Sequence, residues 1–287
     1  MEDVVENIMT KKVVTCKSTH AISKVRSLMA EHRLSRVVVV HAKNKPLGII
    51  TQKDIVGFLL VDTSMRGIEE IKAEEVMSKK LVTVEPKATI PEAAKIMIKK
   101  KMSSLVVIDT NGKLKGIVTK ADINAWYGYK GTTTYKVHNF MTKNPITVRP
   151  SQPIFLAVSL MSLHEISRVV VVDKENKPIG IVTLFDITML SNLLKPAKIL
   201  SEDKPLLIKG LLTLPKQVHL VTVGDLMTAN PLSINEDADL QEAARLMAKH
   251  GISGLPVTDN TGKLVGIVTK SDIIKAVASS AKIGEGM

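Results

Sequence analysis

The sequence G-I-V-T-K-A-D-I at residues 116–123 decides the fold, because closely similar strings occur at three other places in the chain. The other strings are G-I-I-T-Q-K-D-I at 48–55, G-I-V-T-L-F-D-I at 180–187 and G-I-V-T-K-S-D-I at 266–273. Each begins the same number of residues after an anchor methionine, and these methionines are Met9, Met77, Met141 and Met227. Self-similarity of this kind indicates a repeat architecture.

The similarity extends without gaps over four segments of the chain, which are 5–56, 73–124, 137–188 and 223–274. At about 150 residues per domain, a chain of 287 residues suggests two domains. We therefore predict two modules, residues 1–130 and 131–287, each made of two small repeats. A unit of this size buries its helices and sheet poorly alone, so the repeats are expected to pair.

The same order of elements is predicted within each copy. A short extended piece, such as 13–15, precedes a helix whose apolar residues follow the 3.6-residue period. In copy 2 these residues are Ile90, Ala93, Ala94 and Met97. Two strands follow, and the shared Thr-x-x-Asp starts the last helix. The unit is thus β-α-β-β-α and the fold class α+β. Copy 1 interrupts the apolar helix face with Arg26, whose stem we expect to reach the surface.

The composition narrows the classes of protein. The single cysteine, Cys16, excludes an internal disulfide framework and a multi-cysteine metal site, and it is typical of a reducing, cytoplasmic compartment. No apolar run is long enough to span a bilayer, and the first residues lack the apolar core of a signal peptide. The net charge of +12 favours a polyanionic partner: a nucleotide, a nucleic acid or an anionic membrane surface.

The repeated motifs resemble the CBS domain, a family named after cystathionine β-synthase. The resemblance rests on the Met-Thr or Met-Ser pair at the start, the Ser followed by a β-branched run, and the final G-I-[IV]-T-x-x-D-I. It implies that four CBS units pair into two Bateman modules. It also implies clefts that bind adenosyl ligands, namely AMP, ADP, ATP or S-adenosylmethionine. Similar chains include archaeal four-CBS proteins and the nucleotide-sensing γ subunit of AMP-activated protein kinase.

The Thr-x-x-Asp pairs are the first candidate site residues. A carboxylate accepts hydrogen bonds from both hydroxyls of a ribose, and a helix start offers free N–H donors to an anion. The resemblance implies that these positions hold the ribose. The pairs are Thr51 with Asp54, Thr119 with Asp122, Thr183 with Asp186, and Thr269 with Asp272. The alternative is that each pair only caps its helix.

Cations beside these pairs are the second candidates, for the phosphates. Arg36 and Arg168 follow the serine that all four copies share, and their bidentate fork suits phosphate. The alternative is that they are surface residues at a strand start that form ion pairs. The equivalent Ser104 and Gly254 carry no charge, so the copies are unequal. Lys120 and Lys270 lend charge from within the Thr-x-x-Asp strings of copies 2 and 4. Copy 3 has Leu184 and Phe185 there, which predicts a more apolar cleft.

The resemblance places the adenine against backbone groups of the first short strand of each copy. That strand is marked by Thr15, Thr83, Thr147 and Ser233. The alternative is that these are ordinary strand residues. A further aligned column holds His32, Lys100, His164 and His250. We expect these cations to lie at helix C-termini, which they stabilise through the helix dipole. A pH-sensing or ligand role is the alternative, and a metal site is not expected.

Two connecting segments are unusual. Residues 125–136 hold Trp126, Tyr127, Tyr129 and Tyr135, the only tryptophan and all the tyrosines. They indicate packing at a domain junction, with stacking on nucleic-acid bases as the alternative. The apolar segment 189–222 is expected to cover a module face or an oligomer interface, which leaves a homodimer open.

These features together predict a cytoplasmic adenine-nucleotide sensor that regulates a protein partner. We expect no catalysis, because the sequence holds no Walker-A loop, paired catalytic carboxylates or nucleophile elbow. The alternative is a nucleic-acid-binding protein that uses its basic surface, since phosphate contacts need only distributed Lys and Arg.

Overall fold

The computed structural model describes residues 3–41, 44–62, 64, 66–131, 134–189 and 221–280. Each copy contains the predicted strand, helix, two strands and helix, and the α+β fold class is confirmed. Residues 190–220, the greater part of the apolar segment expected to cover a module face, lie outside the described residues.

The first two copies occupy the N-terminal half. Copy 1 follows a 3₁₀ turn (Val5–Asn7) and comprises β1 (Thr15–Lys17), α1 (Ile22–Glu31), β2 (Arg36–Val40), β3 (Pro46–Thr51) and α2 (Gln52–Val61). Copy 2 comprises α3 (Ala73–Val76), β4 (Thr83–Val84), α4 (Ile90–Lys99), β5 (Ser104–Ile108), β6 (Leu114–Thr119) and α5 (Lys120–Lys130).

The other two copies repeat this order. Copy 3 follows a 3₁₀ turn (Val137–Asn139) and comprises β7 (Thr142–Lys143), β8 (Thr147–Val148), α6 (Ile154–Leu163), β9 (Arg168–Val172), β10 (Pro178–Thr183) and α7 (Leu184–Met189). Copy 4 comprises α8 (Val223–Leu226), β11 (Thr228–Ala229), β12 (Ile234–Asn235), α9 (Leu240–Lys249), β13 (Gly254–Thr258), β14 (Leu264–Thr269) and α10 (Lys270–Ser280).

The first strand of each copy begins later than the predicted extended piece. β1 starts at Thr15 and pairs in parallel with β2, which runs antiparallel to β3. Val13 lies before the strand because its side chain packs against the apolar cluster between the sheets of copies 1 and 2, and Leu81 does the same in copy 2. In these two copies the start of the predicted extended piece thus contributes to the contact between the sheets, and only its end belongs to the strand.

Neighbouring copies exchange their leading residues. Strand β11 of copy 4 joins the sheet of copy 3 beside β10, and β7 of copy 3 joins the sheet of copy 4 beside β14. Copies 1 and 2 exchange in the same sense through the antiparallel bridges Thr10↔Ile117 and Ile49↔Ser78. The repeats therefore pair as 1 with 2 and 3 with 4.

This exchange explains two identical columns of the repeat. A Cβ atom on Gly116 would lie 2.6 Å from Met9 Sδ and 3.0 Å from the carbonyl oxygen of Thr10. A Cβ on Gly48 would lie 2.7 Å from Met77 Sδ and 2.9 Å from the carbonyl oxygen of Ser78. Contacts this close require the neighbouring atoms to shift, which favours glycine where the partner's anchor methionine crosses the string.

The predicted helix faces form the cores. Ile90, Ala93, Ala94 and Met97 are all buried, as are the equivalent residues of α9. In copy 3 Val158 is only partly buried. The two modules meet where α5 packs on α9 and α10 packs on α4, so copies 2 and 4 share one apolar cluster.

Candidate functional site

Each Thr-x-x-Asp pair caps the last helix of its copy. In copy 1 the backbone N–H and the hydroxyl of Thr51 both donate to Asp54 Oδ2, at 2.7 Å each. The same two hydrogen bonds, between 2.7 and 2.9 Å, join the other three pairs. The capping interpretation therefore holds in all four copies. It uses only Oδ2 of each carboxylate, so a ligand role through Oδ1 is not excluded by it.

A central cavity of about 1830 Å³ collects residues from all four copies. Ten of the predicted site residues line it: Arg36, Thr51, Thr119, Lys120, Asp122, Arg168, Thr183, Thr269, Lys270 and Asp272. The other six do not line it: Asp54, Asp186, Thr15, Thr83, Thr147 and Ser233. Of these, Thr83 borders a separate surface depression of about 680 Å³. The structure thus brings together the cations and two carboxylates, but not the four strand residues expected near adenine.

The two arginines bridge the copies within each module. Arg36 Nη1 donates to Ser103 Oγ at 2.9 Å, and Arg168 Nη2 donates to Ser253 Oγ at 3.0 Å. Both serines occupy the position before the β-branched run, where all four copies have serine. In copies 2 and 4 this serine accepts a hydrogen bond from the arginine of the paired copy. Gly254 leaves room for this contact, since a Cβ there would lie 2.7 Å from Arg168 Nη1.

A carboxylate of copy 2 lies near cations from two other copies. Arg36 of copy 1 and Lys270 of copy 4 both act on Asp122 of copy 2. Burial raises the pKa of Asp122, against the hydrogen bonds from Thr119 and the attraction of these two cations. Burial lowers the pKa of Arg36, which Asp122 and then Asp54 counteract.

The equivalent residues form a second cluster. Arg168 of copy 3 and Lys120 of copy 2 lie near Asp272 of copy 4, and Lys120 Nζ donates to Ser271 Oγ at 2.9 Å. Burial lowers the pKa of Arg168 and of Lys120, and Asp272 counteracts both shifts. Burial, followed by repulsion from Arg168, lowers the pKa of Lys270. The cavity therefore holds partly desolvated cations, whose charge an anionic ligand would compensate.

Arg26 and Lys275 are among the cavity residues that were not predicted from the sequence. Arg26 is half-buried and lines the cavity, so its stem reaches the cavity surface. It interrupts the apolar face of α1 because that position opens on the cavity. Lys275 also lines the cavity, three residues after Asp272. Alignment of the repeats could have revealed it, because copies 1 and 2 have the uncharged Gly57 and Ala125 at the equivalent position. Leu184 and Phe185 line the copy 3 side, as expected for a more apolar cleft.

The aromatic segment packs mainly at the junction between copies 2 and 4. Tyr127 is buried in their common cluster, with Trp126 and Tyr135 packed against it. Trp126 Nε1 also donates to Asp3 Oδ1 at 3.0 Å. Tyr129 is exposed. The first part of the segment is helical, because α5 runs to Lys130.

The histidine column lies where it was expected. His32, Lys100, His164 and His250 each occupy the C-cap position of a first helix. In the part of the chain that the structure describes, no group of three or more His, Cys, Asp or Glu residues is placed to hold a metal ion. The described helices include none that is both long and apolar enough to cross a membrane.

Comparisons with known proteins agree with this architecture. The sequence model of the CBS domain matches residues 5–61, 73–128, 137–192 and 223–279. The chain is 30% identical to protein MJ1404 of Methanocaldococcus jannaschii, over 98% of this chain and 63% of that protein. It is 36% identical to MK0525 of Methanopyrus kandleri, over 42% of this chain and 60% of that protein. It thus spans less than two thirds of the length of these two relatives.

Solved structures that cover nearly the whole chain have the same fold. The crystal structure of MJ1225 from Methanocaldococcus jannaschii superposes with a TM-score of 0.77 at 24% identity, covering 95% of this chain and 99% of that one. At this identity the likeness shows the fold alone. Together with the four family matches and the exchange within each pair of copies, it identifies the architecture: the chain belongs to the CBS domain family and carries four CBS units arranged as two Bateman modules.

Proposed function

We propose that the protein is a regulatory sensor that binds an adenosyl ligand, AMP, ADP, ATP or S-adenosylmethionine, at the central cavity. The observation that carries this proposal is the convergence of Arg36, Arg168, Lys120 and Lys270 around Asp122 and Asp272. A nucleotide combines a diol that a carboxylate accepts with phosphates that cations bind. Membership of the CBS family supports this ligand class.

The position of the cations favours a small ligand over a nucleic acid. The four side chains are half-buried within a cavity, whereas a nucleic-acid backbone needs an exposed basic track. A cavity of about 1830 Å³ exceeds the roughly 300–1,000 Å³ of a single small-molecule site, so it has room for more than one nucleotide. We place the protein in the cytoplasm, where its free, buried Cys16 stays reduced.

Regulation in this proposal is mechanical rather than catalytic. A ligand that bridges two CBS units stabilises the arrangement that it binds better, and a protein partner reads the resulting surface. The shift requires differential affinity for the two arrangements. Each arginine already joins two units of a module through a serine, so a phosphate that draws the arginine away alters a contact between units.

Calorimetric titration of the whole chain with AMP, ATP and S-adenosylmethionine tests the proposal. We expect Arg36→Ala and Asp122→Asn to weaken binding by at least about tenfold, since each removes a charge-assisted hydrogen bond worth about 1.5–3 kcal/mol. Lys99→Ala, on the exposed end of α4, is the matched control and should leave the affinity unchanged. No binding of any of the three ligands, together with salt-dependent RNA binding that Lys99→Ala weakens, would favour the nucleic-acid alternative.

A further inference from the structure

Asp122 and Asp272 occupy equivalent positions in copies 2 and 4, but their surroundings differ at one place. Each is the aspartate of a Thr-x-x-Asp pair, and each faces an arginine and a lysine from equivalent positions of the repeat. Three residues later copy 2 has Ala125, whereas copy 4 has Lys275. One turn of helix brings residues at this spacing together.

The Lys275 ammonium donates a hydrogen bond to the second oxygen of the Asp272 carboxylate. Lys275 Nζ lies 2.8 Å from Asp272 Oδ1, while the N–H and hydroxyl of Thr269 donate to Oδ2 at 2.9 and 2.8 Å. The Asp272 side chain is 3% exposed, so it has little access to other donors. Among the described residues, the only hydrogen bonds to the carboxylate of Asp122 reach Oδ2, from Thr119.

We propose that Lys275 blocks the ribose-accepting oxygen of Asp272, so that the two equivalent sites bind an adenosyl ligand with unequal affinity. This inference rests on the proposed function. A diol reaches Asp272 only after Lys275 has moved away, whereas Oδ1 of Asp122 accepts it directly. The site at Asp122 therefore fills first, and the site at Asp272 fills only at higher ligand concentration.

The ammonium can leave without unfolding the helix. The Lys275 side chain is 55% exposed, so it can extend into solvent. The pair joins a nearly buried carboxylate to a half-exposed ammonium. Its strength is therefore expected to lie between that of a surface ion pair, which is weak, and that of a buried one, which is costly to break. We expect the block to weaken ribose binding by about tenfold, or about 1.4 kcal/mol.

Adenosine is the appropriate probe, because it carries the diol but no phosphate that Lys275 would attract. The whole chain is titrated calorimetrically with adenosine in an Asp122→Asn background, which isolates the copy 4 site from its equivalent. Adding Lys275→Ala is expected to strengthen adenosine binding about tenfold. In the reciprocal pair, Ala125→Lys in an Asp272→Asn background is expected to weaken binding at Asp122 by a similar factor.

Controls distinguish a failure of the Lys275 block from a failure of adenosyl-ligand binding. Thermal unfolding by circular dichroism verifies that each variant is folded, and a crystal structure of Lys275→Ala with adenosine is expected to place the diol against Asp272. If the wild type binds adenosine but neither Lys275→Ala in the Asp122→Asn background nor Ala125→Lys in the Asp272→Asn background changes the titration, the block by Lys275 is refuted and the proposed function stands. If AMP, ATP, S-adenosylmethionine and adenosine all fail to bind the wild type and the variants, both are refuted.

Discussion

Among the residues whose burial the structure describes, those of copies 2 and 4 share one core, whereas those of copies 1 and 3 fall into separate clusters. The buried residues of copies 2 and 4 form one cluster across the boundary between modules. The helices α2 and α7 also contact each other, and the described buried residues of copies 1 and 3 form two distinct clusters. Among the described residues, the same repeat thus gives one shared cluster on the fused side and two separate clusters on the other.

Two residues of α5 make close contacts with α9 on the fused side. A Cβ on Gly128 would lie 2.9 Å from the backbone nitrogen of Arg245, so α5 touches the backbone of α9 there. One turn earlier, the buried Asn124 Nδ2 donates to the carbonyl oxygen of Ala244 at 2.9 Å. At the equivalent positions of the sequence copy 1 has Val56 and Leu60, and copy 4 has Ile274 and Ala278. Gly128 and Asn124 are therefore particular to the α5 side of the joint.

The largest expected effect comes from breaking this close contact. Gly128→Ala places a methyl group against the backbone of α9, and overpacking of this kind costs about 2–3 kcal/mol. Gly57→Ala is the matched control, because nothing lies within 4 Å of its added Cβ and alanine favours the helix by up to about 1 kcal/mol. Urea unfolding of both variants measures the difference. Equal midpoints would show that the α5–α9 contact does not limit stability.

A smaller effect is expected from the hydrogen bond beside that contact. Asn124→Ala removes the bond to Ala244 and leaves a small cavity, which we expect to lower the free energy of unfolding by about 1–2 kcal/mol. The loss is partly offset, because Asn124 Oδ1 is buried without a hydrogen-bond partner among the described residues. Asn111→Ala in an exposed turn should change stability by less than about 0.5 kcal/mol. A stabilised Asn124→Ala would mean that the unpaired oxygen outweighs the bond.

The sequence predicted the repeat, the order of elements and the buried helix faces, because burial imposes a period that each copy displays. It also predicted the residues that cap the last helices, although in the structure the ligand role of the aspartates remains a proposal. It predicted that residues 125–136 pack at a domain junction, but not that copies 2 and 4 share one core. Glycine and asparagine at 128 and 124 look unfavourable in a helix, and only the neighbouring helix explains them. Nor did it reveal that Arg26 opens on the cavity, since that depends on how four copies assemble.

A third prediction uses the separate core of copy 1. Burial raises the pKa of the Cys16 thiol from 9.0 to about 11. A raised folded-state pKa contributes stability below pH 9 that is lost as the pH rises through about 11. We expect this loss to be about 1–2 kcal/mol between pH 8.5 and pH 11. Cys16→Ala should remove the cysteine-specific part of the decline, measured as the difference between the two proteins at each pH by urea unfolding. Parallel pH profiles would show that folding does not raise the pKa of the Cys16 thiol.

The smallest expected effect concerns the cavity that both sides enclose. Burial and the repulsion of Arg168 lower the pKa of Lys270, so its charge disfavours the folded state at every pH below its depressed pKa. Lys270 is also the first residue of α10, where the helix dipole disfavours a cation. Lys270→Met should therefore raise the free energy of unfolding at pH 7, by less than about 1 kcal/mol because the side chain is only half-buried. Lys99→Met, on an exposed helix end, controls for the gain in apolar surface.

The same variant connects stability with binding. An anion in the cavity relieves the repulsion that Lys270→Met removes, so ATP should raise the melting temperature of the wild type more than that of the variant. If Lys270→Met lowers stability and ATP protects both proteins equally, the lysine serves the contact between copies 2 and 4 rather than a ligand. In that case the fused side would depend on cavity charge as well as on Gly128, and the two sides would differ in electrostatics as much as in packing.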